Sequence, residues 1–177
     1  LKEVEYDHDG QALVGYLAPL SLIVVALLVP FKLLRSVDQV FRLGRAAALG
    51  SFVLSLLAGA IVFTSGTLVS PVIGIGDVGI SLRLDALSVV MTWLVTFLGA
   101  LLIQFSRNYL DGDSRQAVFL SRLYMTIGAV LLLVLSGNLW QLVLAWIVTS
   151  LALHQLLVFY QERPRAIRAA RKKFIVA

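Results

Sequence analysis

Apolar residues in this chain fall in long unbroken runs, unlike the alternation of a half-buried strand or the narrow stripe of a soluble helix. Five runs stand out: Leu13 to Pro30, Ala46 to Ser65, Ala86 to Phe105, Leu123 to Leu135 and Leu139 to Tyr160. A helix needs roughly 20 apolar residues to cross a bilayer, so four runs suffice as they stand and the fourth must extend at one end. Between the second and third, PVIGIGDVGISLRL from Pro71 to Leu84 sets Gly74, Gly76 and Gly79 among β-branched residues, then alternates Ile80, Leu82 and Leu84 with Ser81 and Arg83. That pattern predicts a β-hairpin. The predicted fold class is an all-α polytopic membrane protein: one transmembrane domain over 1–177, about five transmembrane helices and an outer β-hairpin.

Small residues recur inside the runs. Ala47, Ser51, Ser55 and Gly59 stand at four-residue steps, as do Thr92, Thr96 and Ala100, and such stripes let helices approach closely in lipid. They predict a packed bundle. Gly74, Gly76 and Gly79 also fit a GxGxxG spacing, but no βαβ unit follows, so nucleotide binding is rejected.

Composition agrees with this class: hydrophobic residues make up 59% of the chain and charged residues 14%. Cysteine is absent, which excludes disulfides, thiolate nucleophiles and Cys-ligated metals. His8 and His154 stand too far apart to suggest a local metal site. The net charge of +5 is distributed like a topology signal instead of a nucleic-acid-binding patch. An acidic tail (Glu3, Glu5, Asp7 and Asp9 against Lys2) precedes the first run, and a basic connection (Lys32, Arg35, Arg42 and Arg45 against Asp38) follows it. All Lys and Arg except Lys2 and Arg83 fall in alternate connections and in the segment after the fifth run. The positive-inside rule then places the N-terminus outside and 161–173 in the cytoplasm. The acidic tail argues against a cleaved signal peptide.

The candidate chemistry sits in the fifth run, which carries no Asp, Glu, Lys or Arg and still holds His154. Trp146, Ser150 and His154 follow at four-residue steps, with Thr149 and Gln155 flanking them, so one side of the helix is predicted to be polar. His154 lies about 6 Å of helical rise beyond Ser150, within the hydrocarbon. Two readings stand open: hydrogen-bonded glue between helices, or a proton-relay or gating group on an ion path. Asp85 opens the third run, where it can cap the helix or admit protons. Pro164 can start a basic amphipathic helix from Arg165 to Lys173. The chain begins with Leu1, and its last apolar residues are expected to open a sixth helix in a longer protein.

The strings SLRLDALSVVMTWLVTFLGALLIQFSRNYL, GNLWQLVLAW and AARKKF resemble the N-terminal region of the antiporter-like subunits of respiratory complex I and of multisubunit cation/proton antiporters. Asp85, Leu87 and Ser88 match that family's helix start, Asn108 and Tyr109 its cytoplasmic end, and Asn138 and Leu139 its turn, over about residues 75 to 175. The family's fifth-helix glutamate falls on Ile147, after Trp146, so this chain departs from the antiporter pattern there. With SLALHQLLVFYQERPRAIRAARKKF, the chain is similar to one divergent branch, the membrane subunits of the Dab inorganic-carbon accumulation systems.

That resemblance implies an ion-translocating membrane subunit of a CO2/bicarbonate pump in the bacterial inner membrane, driven by a proton or sodium gradient. It implies a large soluble carbonic-anhydrase-like partner on the cytoplasmic face, with zinc in that partner, and no cofactor, catalytic residue or nucleic-acid partner in this chain. The expected ion pathway takes in His154, Ser150, Thr149, Gln155 and Asp85. The expected docking surface is Arg163, Arg165, Arg168, Arg171, Lys172 and Lys173, joined by Arg35, Arg42 and Arg45. The alternatives are a proton-translocating subunit of complex I or of a multisubunit antiporter, and a structural membrane anchor.

The absence of cysteine makes topology directly testable. Single cysteines at Gly10 and Ala166 are expected to react with an impermeant thiol reagent from opposite sides of the membrane. Labelling of both from outside would refute the charge-based orientation.

Overall fold

A computed structural model describes residues 17–29, 36–70, 72–75 and 78–159. The helices are α1 (Leu17–Leu28), α2 (Val37–Ser65), α3 (Ala86–Tyr109), α4 (Gln116–Val134) and α5 (Leu139–Leu157). Four of them, α2 to α5, are long and apolar enough to cross a membrane, whereas α1 is shorter over the described residues. The chain is therefore a multi-pass, all-helical membrane protein.

Three helices reach further than their apolar runs: the third ends at Tyr109 instead of Phe105, and the extension that the short fourth run requires lies at its N-terminal end. The second begins at Val37 instead of Ala46, held by a capping box in which Ser36 Oγ accepts from Gln39 N at 3.2 Å while Gln39 Oε1 accepts from Ser36 N at 3.4 Å. The fourth begins at Gln116 instead of Leu123. Arg42, Arg45 and Arg122 thus stand on helices and not in connections. The reason is physical: backbone hydrogen bonding continues through the interfacial zone, where charged side chains are tolerated. Among the described residues, Asp38, Arg42, Arg45, Arg107 and Arg122 all lie at one end of the bundle and Arg83 and Asp85 at the other.

The centre of the bundle is α4. Of its apolar window 44% is buried, against 22% for α5, so its apolar run needs neither the length nor the uniformity of a lipid-facing helix. Ser121 Oγ donates to Ala26 O at 2.7 Å, tying α4 to α1. Tyr124 lies over Gly44 of α2, where a Cβ would overlap its ring, and its hydroxyl donates to Val40 O at 3.3 Å. Gly99 of α3 seats Ile127. Around these contacts Leu22, Phe41, Ile103, Leu120 and Leu131 form the larger core.

The helices α2 and α3 pair antiparallel through the small-residue stripes. Phe52 meets Phe97 with ring centroids 6.4 Å apart, and Trp93 Nε1 donates to Ser55 O at 2.7 Å, whereas Ser51 of the same stripe turns to α1 and donates to Ala18 O at 3.0 Å. Gly59 leaves room for the Trp93 indole, which a Cβ would overlap.

The predicted hairpin forms as β2 (Ile73–Ile75) and β3 (Val78–Ile80), paired antiparallel with Gly74 opposite Gly79. It has a base that the pattern does not predict: β1 (Leu68–Val69) pairs antiparallel with β4 (Arg83–Leu84), and Leu82 bridges to Ser136. Leu82 and Leu135 are buried there with Val62, Leu68, Leu84 and Val89 in a second, smaller core. The β-branched alternation specifies the hairpin, while the base exists because α2, α3 and the α4–α5 turn present an apolar cup.

Trp93→Phe, which keeps the ring packing and removes the indole N–H, is expected to cost about 1 kcal/mol. Gly59→Leu is expected to cost about 1–3 kcal/mol by forcing α2 from α3. Thermal unfolding in detergent reads both, and an unchanged Gly59→Leu midpoint would show that the stripe is not a close contact.

Candidate functional site

Asn138 starts α5. Its Oδ1 accepts from Gln141 N at 2.7 Å, and its Nδ2 donates to Gly79 O at 2.7 Å and to Ser81 Oγ at 3.1 Å. One turn on, buried Gln141 accepts from Ser81 N at 2.9 Å through Oε1. Gly137 N donates to Ser81 O at 2.8 Å. These bonds clasp the β-hairpin to the start of α5 and fix the rotation of that helix. Gln141 was not among the residues expected to matter; its signal was a carboxamide inside an otherwise apolar run.

From that clasp, α5 turns Gln141, Ala145, Thr149 and Ala152 into the bundle. Trp146 and Ile147 lie on the other side, 50% and 47% exposed. Ser150 and His154 are half-buried at the boundary, and Gln155 is exposed. The expected single polar face from Trp146 to His154 is thus corrected: Thr149 points inward, Trp146 outward, and Ser150 and His154 stand between. The reason is that Asn138 and Gln141, both tied to the hairpin, set the helix rotation, which four-residue spacing alone leaves free. Thr149 Oγ1 is buried with no hydrogen-bond partner among the described residues, a costly state for a hydroxyl in an apolar interior.

The position of the family's glutamate, Ile147, therefore faces the perimeter of this five-helix unit. His154 lies about two turns further on, near that same side. Ser150 and His154 thus stand at the edge of the described bundle.

Asp85 does not join this group. It sits at the opposite end, separated from His154 by about the rise of α5, roughly 23 Å. Its carboxylate accepts from Ser88 N at 2.9 Å while Ser88 Oγ accepts from Asp85 N at 2.8 Å, a capping box for α3. The Ser88 backbone bond, outweighing partial burial, holds the Asp85 carboxyl below its ordinary range, with smaller help from the Ser88 hydroxyl and from Arg83 at 3.3 Å. The Arg83 pair is largely solvated and contributes little by itself.

At the other end, Arg122 Nη1 donates to Gln155 O at 2.9 Å, placing a cation on the carbonyl-rich C-terminus of α5. Its guanidinium lies 5.1 Å from the Phe159 ring, with Arg115 at 5.6 Å. Arg107 stacks 4.4 Å over Phe41 and pairs with Asp38 at 3.5 Å, joining the end of α3 to the start of α2. Of the expected docking residues, Arg42 and Arg45 are on α2 at this end; Arg35, Arg163, Arg165, Arg168, Arg171, Lys172 and Lys173 lie outside the described residues.

Lowered in the folded state, the Asp85 titration adds stability at neutral pH and removes it as pH falls through the folded value. Wild type is expected to exceed Asp85→Ala by about 1 kcal/mol at pH 7, with the gap shrinking below the ordinary carboxylate range. Asp85→Asn, which keeps the cap without titrating, is expected to show no such pH dependence. Thermal unfolding of the three proteins across pH checks this, and a constant gap would exclude a cap held by the ionised carboxylate.

Comparison with known proteins places this geometry. Residues 72–120 match the family model of the complex I NADH-ubiquinone oxidoreductase chain 5 N-terminus. The chain is 45% identical over 102 residues, 58% of its length, to the probable inorganic carbon transporter subunit DabB2 of Halothiobacillus neapolitanus, and covers 18% of that protein. It is 40% identical over 92 residues, 51% of its length, to the probable inorganic carbon transporter subunit DabB of Hydrogenovibrio crunogenus, again covering 18%. A longer, weaker match is the Na(+)/H(+) antiporter subunit A1 of Staphylococcus haemolyticus, 27% identical over 168 residues, 89% of this chain and 21% of the antiporter subunit. Among solved structures, a chain of the membrane-bound sulfane sulfur reductase, an archaeal respiratory membrane complex, shares the fold with a TM-score of 0.72 at 16% identity, over 92% of this chain and 33% of the other. The chain thus spans about a fifth of the length of these curated relatives. Its fold is an antiporter-like membrane helix bundle, and by sequence it is similar to the N-terminal region of the complex I chain 5 family and to the inorganic-carbon transporter subunits of the divergent Dab branch.

Proposed function

We propose that this chain belongs to the ion-translocating membrane subunit of an energy-coupled inorganic-carbon pump, in which a proton or sodium gradient drives directional conversion of CO2 to bicarbonate. The observation that carries the reading is the 45% and 40% identity to two inorganic carbon transporter subunits. The absence of a carboxylate at Ile147 supports it. Catalysis falls to a large soluble carbonic-anhydrase-like partner, which holds zinc and docks on the cytoplasmic face of a bacterial inner membrane. The N-terminus is outside, and the basic residues Arg163 to Lys173, with Arg42, face the partner. Arg45, exposed on the same helix, stands with Arg42 on that surface and also lines a groove between α2 and α3.

In this reading His154 is the titratable group of the described part of the ion path. Ser150 and Thr149 carry the path toward the outer end, and Gln155 borders it at the cytoplasmic end. The second reading, a proton-translocating subunit of complex I or of a multisubunit antiporter, is favoured by the family match over 72–120. The two differ in what accumulates when the gradient is applied.

His154→Gln keeps size and hydrogen bonding and removes titration. In cells carrying the complete pump, it is expected to abolish gradient-dependent bicarbonate accumulation while expression and co-purification of the soluble partner are unchanged. Uptake equal to wild type would assign His154 to helix packing. Co-purification with NADH-oxidising subunits instead would favour the second reading.

A further inference from the structure

The antiparallel pairing of α2 and α3 is tight over most of its length and opens at one end. From Trp93 against Ser55 to Phe97 against Phe52 the helices are in contact. Beyond that ring pair, Ala48 and Ala100 replace larger side chains, and a cavity of about 350 Å³ opens to the bundle surface. Phe52 and Phe97 form its floor, Leu49 and Leu101 its walls, and Arg45 and Gln104 its mouth. Floor and mouth are seven residues apart on each helix, about 10 Å of rise. The result is a short apolar trench with a guanidinium and a carboxamide at one end only.

Two observations say what fits it. The first is depth. From Arg45 to the end of α2 at Ser65 the helix rises about 30 Å, the thickness of the hydrocarbon core. If Ser65 marks one boundary, Arg45 marks the other, at the level where lipid glycerol and phosphate groups lie. The second is charge. Neither Arg42 nor Arg45 pairs with a carboxylate among the described residues, where the ion pairs are Arg83–Asp85 and Arg107–Asp38. A second groove, between α1, α4 and α5, also carries an arginine, Arg122, but that guanidinium is engaged by Gln155 O and the Phe159 ring. Of these two grooves, the α2–α3 trench is the one whose arginine has no carboxylate or ring partner among the described residues.

We propose that this trench is a binding site for one anionic phospholipid, its phosphodiester held by Arg45 and Gln104 and the upper part of an acyl chain laid on Leu49, Leu101 and the Phe52–Phe97 floor. The guanidinium gives a planar donor pair to the phosphate oxygens, and the carboxamide donates beside it. Filling the trench covers apolar surface that α2 and α3 leave unpacked. The site is independent of the transport reading, since it involves neither α5 nor His154.

Native mass spectrometry of the purified protein from neutral detergent tests the site, with dioleoyl phosphatidylglycerol and dioleoyl phosphatidylcholine as probes. Wild type is expected to retain phosphatidylglycerol about fivefold better than phosphatidylcholine, the effect of one cation near an anionic headgroup. Arg45→Gln is expected to erase that preference, and Arg83→Gln, at the opposite end, to leave it. Leu49→Gln, which keeps the arginine, is expected to weaken both lipids and holds the test open if Arg45→Gln does not fold. Equal retention of the two lipids by wild type, or an intact preference in Arg45→Gln, overturns the proposal. Displacement of phosphatidylglycerol by millimolar inorganic phosphate overturns it as well, assigning the site to a free anion.

Discussion

The structure depends on one constraint: within lipid, each polar group must find its partner inside the protein. Apart from Thr149 Oγ1, which has no partner among the described residues, hydroxyls in the spans obey it largely with local bonds. Thr92 donates to Ser88 O, Thr96 to Thr92 O and Ser106 to Leu102 O, each at 2.7 Å, while Thr126 donates to Arg122 O at 2.8 Å. A hydroxyl satisfied one turn back on its own helix makes no demand on its neighbour. The face that carries it stays narrow, and a second helix can come close. At the α2–α3 seam the room comes from Gly59, whose missing Cβ lets the Trp93 indole lie against α2.

Where a polar group reaches across helices, it fixes relative position. The Trp93 indole on Ser55 O sets the α2–α3 register, the Tyr124 hydroxyl on Val40 O sets α4 against α2, and Arg122 on Gln155 O sets the far end of α5 against α4. At the other end the hairpin and its Asn138–Gln141 clasp hold the start of α5. With α5 pinned at both ends, its rotation is decided, and with it which residues meet protein and which meet the perimeter. Thr149 is consequently buried and Ile147 exposed.

That rotation bears on how an ion path can be built. The side of α5 bearing Ile147 looks out of the five-helix unit, and His154 stands at its edge. A charge moving along such an edge needs polar groups from another element, because an isolated charge at this depth is costly.

The sequence by itself determined the membrane class, the number of apolar segments, the small-residue seam, the hairpin and the cap at Asp85, because each follows from local periodicity or from bonds within a few residues. It also carried a resemblance strong enough to name a family. It did not determine that α2 continues past its apolar run, nor at which end α4 extends, since helix ends are set by caps and interfacial hydrogen bonding as much as by hydropathy. Nor did it determine the centre of the bundle: α4, with the shortest apolar run, proves the most buried of the four long spans, because burial follows from which helices surround a span and not from the length of its run. The facing of Trp146, Ser150 and His154 belonged to the tertiary structure alone. Four-residue spacing says which residues share a side, and only the bonds from Asn138 and Gln141 to a hairpin roughly sixty residues away in sequence decide where that side points.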